Sequence, residues 1–153
     1  MKAYAGILVA SVVIVLLVSI AVVPPLYGQE AMFDSQARSS EQYRLVFQDV
    51  QLGISKGDVR FFSRHLAAQV AVNIRGDENG TFSSNQTFYV LENFFKSGRF
   101  AHFEFSTIGE SDATPYASGE AEFIQKGNKE IVQVYVAVSF VGKKYVITQL
   151  TIY

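Results

Sequence analysis

The chain has 153 residues, a net charge of −1 and no cysteine, room for one domain beside an N-terminal segment. The missing thiol excludes disulfides, thiolate catalysis, Cys-ligated zinc and a lipid-modified N-terminal cysteine. Basic residues are scattered, with no run longer than Lys143-Lys144, so the stripe that a nucleic-acid partner needs is absent.

Residues 1–28 read as a signal peptide or membrane anchor. Met1 and Lys2 give a short positive start, and residues 3–23 are an apolar run about long enough to cross a bilayer. Pro24-Pro25 interrupts it, and Gly28 is the small residue after which cleavage is expected. The expected destination is export, periplasmic or extracellular, or membrane-anchored if the segment stays. Contact with a membrane is expected through this segment alone. Residues 29–38 are polar with little periodicity and read as a tether. Residues 39–153 form the predicted domain.

Ser39 and Gln42 have capping-box spacing and predict a helix start. Tyr43, Val46, Phe47, Val50 and Ile54 follow at helical spacing, with Leu45 and Leu52 nearly opposite. Gly57 suits the left-handed position after the helix, and Asp58 suits the cap of a second helix over residues 59–66. Val59, Phe62 and Leu66 are its stripe. Residues 68–74 alternate as a strand, and Thr81-Phe82 is a short returning one. A third helix over residues 85–96 follows a Ser83 or Ser84 cap and shows Phe88, Leu91, Phe94 and Phe95 on one face.

Strands are predicted over residues 99–109, 116–126, 129–141 and 145–153. The third is the strongest, with Val132, Val134, Val136, Val138 and Phe140 on one side. A two-residue Gly127-Asn128 turn would set Phe123 opposite Val132, Ala121 opposite Val134 and Gly119 opposite Val136. Glu120 and Glu122 then share the other face with Gln133 and Tyr135. A one-residue slip would bury both glutamates. In the last strand Val146, Leu150 and Ile152 alternate with Tyr145, Ile147 and Tyr153, so both faces are apolar and the register stays open.

This order of elements resembles the nuclear transport factor 2-like fold, also described as cystatin-like or ketosteroid-isomerase-type. Lys56-Gly57-Asp58-Val59 with Phe62, Leu66 and Val70 resembles that superfamily's join between its first two helices, and residues 142–147 its final hairpin. With the export segment and the stretches GDV, LENFF, YASGEAEF and KKYVITQLTI, the chain is similar to a family of small exported bacterial proteins of unknown function. The resemblance implies an α+β domain: three N-terminal helices on the concave face of a strongly curved, mostly antiparallel sheet. It implies a pocket but no particular activity, because the superfamily hosts isomerases, dehydratases, binding proteins and assembly domains.

An isomerase of this type needs a carboxylate held in an apolar cavity. Asp49, Asp58, Asp77, Glu78, Glu120 and Glu122 all fall on polar faces, caps or turns, and Glu104 lies across the strand from Phe103 and Phe105. The polar cluster to test is His65, Glu92 and His102. His65 also reads as a surface residue, and His102 with Glu104 as a solvated pair. Two His and no Cys give no metal set, and nothing in the sequence calls for a cofactor. The small residues Ala117, Gly119 and Ala121 leave space on the inward face, for a ligand or for the close approach of a helix. Phe47, Phe62, Phe94 and Phe95 would line the same region, as pocket or as core.

The expected function is therefore a non-enzymatic exported module that binds a small apolar ligand or a protein partner, with a small isomerase or dehydratase as the alternative. Self-association is expected through the outer sheet face, which carries Ile124, Ile131, Tyr135, Ala137 and Val141. The last strand would add either Val146, Leu150 and Ile152 or Tyr145 and Ile147. An antiparallel sheet open to water on one side should be polar there, and this one is mixed.

Overall fold

The computed structural model describes residues 27–75 and 78–153, with backbone only for residues 27–36. The apolar segment 3–23 and the break at Pro24-Pro25 lie outside the described residues. Helix α1, Tyr27–Lys56, is followed by β1 (Leu66–Ile74), β2 (Asn79–Ser83), α2 (Ser84–Ser97), β3 (Arg99–Ser111), β4 (Thr114–Gln125), β5 (Asn128–Val141) and β6 (Lys144–Ile152).

The stretch 29–38, read above as a tether, is helical, and Ser39 lies inside α1. Strong helix formers among these residues, including Glu30, Ala31, Met32, Gln36 and Ala37, carry the helix through. Ser39 is not a cap. Its hydroxyl bonds the Tyr145 hydroxyl, and the Ser40 hydroxyl donates back to the Ala37 carbonyl. The expected face of α1 holds: Tyr43, Val46, Phe47, Val50 and Ile54 are all buried, while Leu45 and Leu52 are exposed. The helix closes in a Schellman arrangement, with Gly57 N–H on the Ile54 carbonyl, Asp58 N–H on the Gly53 carbonyl and Gly57 at φ +64°.

The expected second helix is absent, so two α-helices rather than three cover the sheet among the described residues. Residues 59–66 instead form two 3₁₀ turns, Val59–Phe61 and Ser63–His65, before β1 begins at Leu66. Asp58 does cap, accepting from the Arg60 amide, and it also grips the Arg60 guanidinium. Phe62 ends the first turn. It is fully buried, its ring lying where a side chain on Gly53 of α1 would stand. Seating Phe62 there stops an α-helix from propagating, and eight residues offer too few hydrogen bonds to resist. Helix α2 forms as expected, with a complete Ser83–Gln86 capping box.

The strands make one six-stranded sheet in the order β2-β1-β6-β5-β4-β3, parallel only between β1 and β6. Helix α1 packs on β3 and β6, and α2 on β1 and β2. One apolar cluster joins both helices to the inner sheet face.

Between β4 and β5 the register differs from expectation by two residues. Gln125 pairs with Asn128, so the turn is Lys126-Gly127, both at positive φ (50° and 84°). Ala121 stands opposite Val132, Gly119 opposite Val134 and Ala117 opposite Val136. Because the slip is even, every side chain keeps its expected face.

The last strand resolves its ambiguity with a bulge. Ala137 pairs with Gln149, but Val138 pairs with Ile147, leaving Thr148 as the extra residue. The Thr148 hydroxyl donates to the Ala137 carbonyl. The bulge turns Tyr145, Ile147, Leu150 and Ile152 all toward the core cluster. Neither expected set therefore lies on the outer face. Val146 does, and it is buried.

Candidate functional site

Of the seven residues expected to line a pocket, Phe47, Phe62, Phe95, Ala117 and Ala121 are buried members of the apolar core. Gly119 is also buried, and the room its missing side chain leaves is taken by strand β3: a Cβ there would meet the Glu104 carbonyl oxygen and stand 3.0 Å from Phe105 Cα. Two bulges in β3 bring its backbone in, one around His102 (φ +51°) and one around Ser106. The small-residue stretch thus serves close approach of a strand rather than of a helix.

Phe94 belongs to the same core, and it also borders a groove. Its ring stacks on Phe123 at 4.9 Å and 14°, and the two rings form part of the wall of a groove of about 370 Å³. Val132 and Ile152 continue the apolar wall. Arg75, Gln125, Lys126, Asn128 and Glu130 form the rim, with an Arg75–Glu130 ion pair at 3.1 Å. The sheet order assembles this place. Ile152 pairs with both Ile74 and Val134, so the end of β1, the end of β6 and the start of β5 lie side by side, with the β4–β5 turn beyond them. Sequence reasoning singled out Phe94 and gave no sign of the rim. The hairpin rule could have found Lys126, but the β1–β6 pairing that delivers Arg75 has no local signal.

The three residues of the expected polar cluster have separate surroundings. His65 Nε2 lies 2.8 Å from Asp49 Oδ2, and the same oxygen accepts from Arg64 at 2.7 Å. Burial pushes the Asp49 carboxyl up, but the hydrogen bonds from His65 and Arg64 outweigh it and hold the group below the ordinary value. Glu92 pairs with Lys96 one helical turn on. It borders a second hollow with Lys56, Asp58, Arg60 and Phe88. His102 is exposed at the β3 bulge, beside Ser55, Glu104 and Glu120. Glu104 and Glu120 are direct cross-strand partners there. The described residues hold no group of three metal-ligating side chains.

The outer sheet face is partly as expected. Ile131 and Val141 are exposed at 64% and 57%, and Tyr135 stacks on Tyr116 at 5.8 Å. Ala137, expected to be exposed, is buried. Glu120 with Gln133 and Glu122 with Lys129 (2.7 Å) supply polar partners on this face.

Residues 47–153 match the family model of DUF4783, a domain of unknown function. No curated protein matches the chain. Among solved structures, a family protein from Bacteroides uniformis is 18% identical, covering 69% of this chain and 93% of its own at a TM-score of 0.61. One from Bacteroides fragilis is 20% identical, covering 67% and 92% at 0.58. A nuclear transport factor 2-like protein of unknown function from Shewanella oneidensis is 13% identical, covering 74% and 98% at 0.54. At such identities the likeness shows the fold alone, and the fold is nuclear transport factor 2-like, with a curved sheet.

Proposed function

The chain belongs to the DUF4783 family, and we propose that it is an exported, non-enzymatic module that binds a small ligand or a protein partner. The observation that carries this reading is the character of the interior. Among the described residues, no charged side chain is buried, and Thr87 is the only buried polar one besides the core tyrosines Tyr43 and Tyr145. A proton-transferring enzyme of this fold works with a carboxylate set in an apolar cavity, whereas here the concave face is filled by aromatic and branched side chains. Binding then belongs to the outside of the core: the groove beside Phe94 and the outer face of the sheet. Export rests on the composition of residues 1–28, and retention of that segment would anchor the domain at a membrane.

The outer face takes a second copy of the chain. Ile131, Tyr135 and Val141 lie along one strand with both charge signs beside them, so the surface is self-complementary in character and suits an isologous pair. Native mass spectrometry of the protein taken from its own cell envelope tests the module reading. A retained ligand, partner or second copy is expected. A bare single chain that turns over a ketone or hydroxy-acid substrate would replace it with the isomerase or dehydratase reading.

A further inference from the structure

We propose that the groove beside Phe94 is a site for small organic anions with a flat or branched apolar body, of which an aromatic carboxylate is the simplest. This rests on the reading of the chain as a binding module and names the ligand class.

The apolar half of the site is the stacked Phe94–Phe123 pair with Val132 and Ile152. All four belong to the core and none is more than 8% exposed, so the wall is pre-formed and presents a narrow apolar strip to a ligand. The volume of about 370 Å³ lies at the small end of ligand sites.

The polar half decides the charge. Among the described residues, two cations, Arg75 and Lys126, face one carboxylate, Glu130. The Arg75–Glu130 contact uses a single terminal nitrogen at 3.1 Å, and both side chains are more than half exposed. Such a pair is weak and easily exchanged. A guanidinium presents a planar fork of donors that matches a carboxylate through two bonds. A ligand carboxylate can take that fork while its body lies on the aromatic wall, with Glu130 swinging to solvent. Gln125 and Asn128 supply further hydrogen-bonding groups at the rim. Lys126 stands in the turn, where a left-handed backbone fixes its place.

Glu130 is thus a built-in competitor, and this gives the test its sign. The full chain in zwitterionic nanodiscs is titrated with 1-naphthoate and with its uncharged analogue 1-naphthylmethanol, followed by calorimetry against empty nanodiscs. The acid is expected to bind at one site about tenfold more tightly than the alcohol. Arg75→Gln should weaken the acid about fivefold or more and leave the alcohol unchanged, whereas Glu130→Gln should tighten the acid a few-fold. Both side chains are exposed, so unchanged thermal melting is expected and serves as the folding control.

Equal affinity for acid and alcohol overturns the anionic class while leaving a binding module in place. Acid binding indifferent to Arg75→Gln, or weakened by Glu130→Gln, overturns the site. No saturable binding of either probe overturns the groove as a ligand site, and the module reading then stands or falls on the outer sheet face.

Discussion

Gly119 of β4 lies against the carbonyl of Glu104 in the neighbouring strand, so closely that no side chain fits between them. The bulge at His102 pushes the β3 backbone over this position, and Gly119 is what lets β3 follow the bend. Alanine there must displace the β3 backbone rather than a flexible side chain. Gly119→Ala is therefore expected to cost about 2–3 kcal/mol, read as a lower urea midpoint with an unchanged slope. An unaltered midpoint would mean that the strands have slack at this contact.

Asp49 ties α1 to the second 3₁₀ turn through His65 and Arg64. Its carboxyl titrates below the ordinary aspartate value of 3.8, because the two hydrogen bonds outweigh the opposing effect of burial. A depressed folded value means stability that is fully present above the unfolded value and lost as pH falls through the folded one. Asp49→Asn should lower stability by about 1 kcal/mol at neutral pH, and by progressively less as the pH falls through the lowered folded value and the carboxylate takes up its proton. Melting curves taken from about pH 6 downward check this, with the gap between wild type and variant narrowing as the pH falls below the ordinary aspartate value. Parallel curves would show that the ion contacts contribute nothing.

Thr87 is fully buried on α2 and its hydroxyl oxygen has no hydrogen-bond partner among the described residues. Valine has nearly the same shape and the same helix propensity, and it removes the unsatisfied group. Thr87→Val is expected to raise stability by about 1 kcal/mol in urea unfolding. A loss of stability would show that the hydroxyl does find a partner in solution.

Side-chain faces were legible in the sequence, but exact pairings were not. Alternation along β5 placed Val132, Val134 and Val136 inward because burial enforces parity. Parity is blind to a slip of two, so Gly127-Asn128 and Lys126-Gly127 predict the same faces and different partners. The Thr148 bulge was hidden for a related reason: without it, Ile147 and Leu150 point to opposite faces, and no periodicity rule absorbs the switch. Residues 59–66 read as a helix because their stripe is helical, yet the burial of Phe62 against Gly53 decided the backbone. Phe94 was visible as part of an aromatic stripe on α2. Its groove was not, because the wall and rim come from segments far apart in sequence and joined only by the β1–β6 and β4–β5 pairings.

A chain that works through its surfaces should show it first on the outer sheet face. Tyr135 sits mid-strand on that face, stacked on Tyr116, between exposed Ile131 and Val141. Sedimentation velocity of the purified protein should show a dimer at micromolar concentration. Tyr135→Glu should convert it to monomer with an unchanged circular dichroism spectrum, since a charge buried in the pair goes unmatched while the core behind the sheet is untouched. A wild-type protein that stays monomeric well above micromolar concentration would contradict pairing through this face.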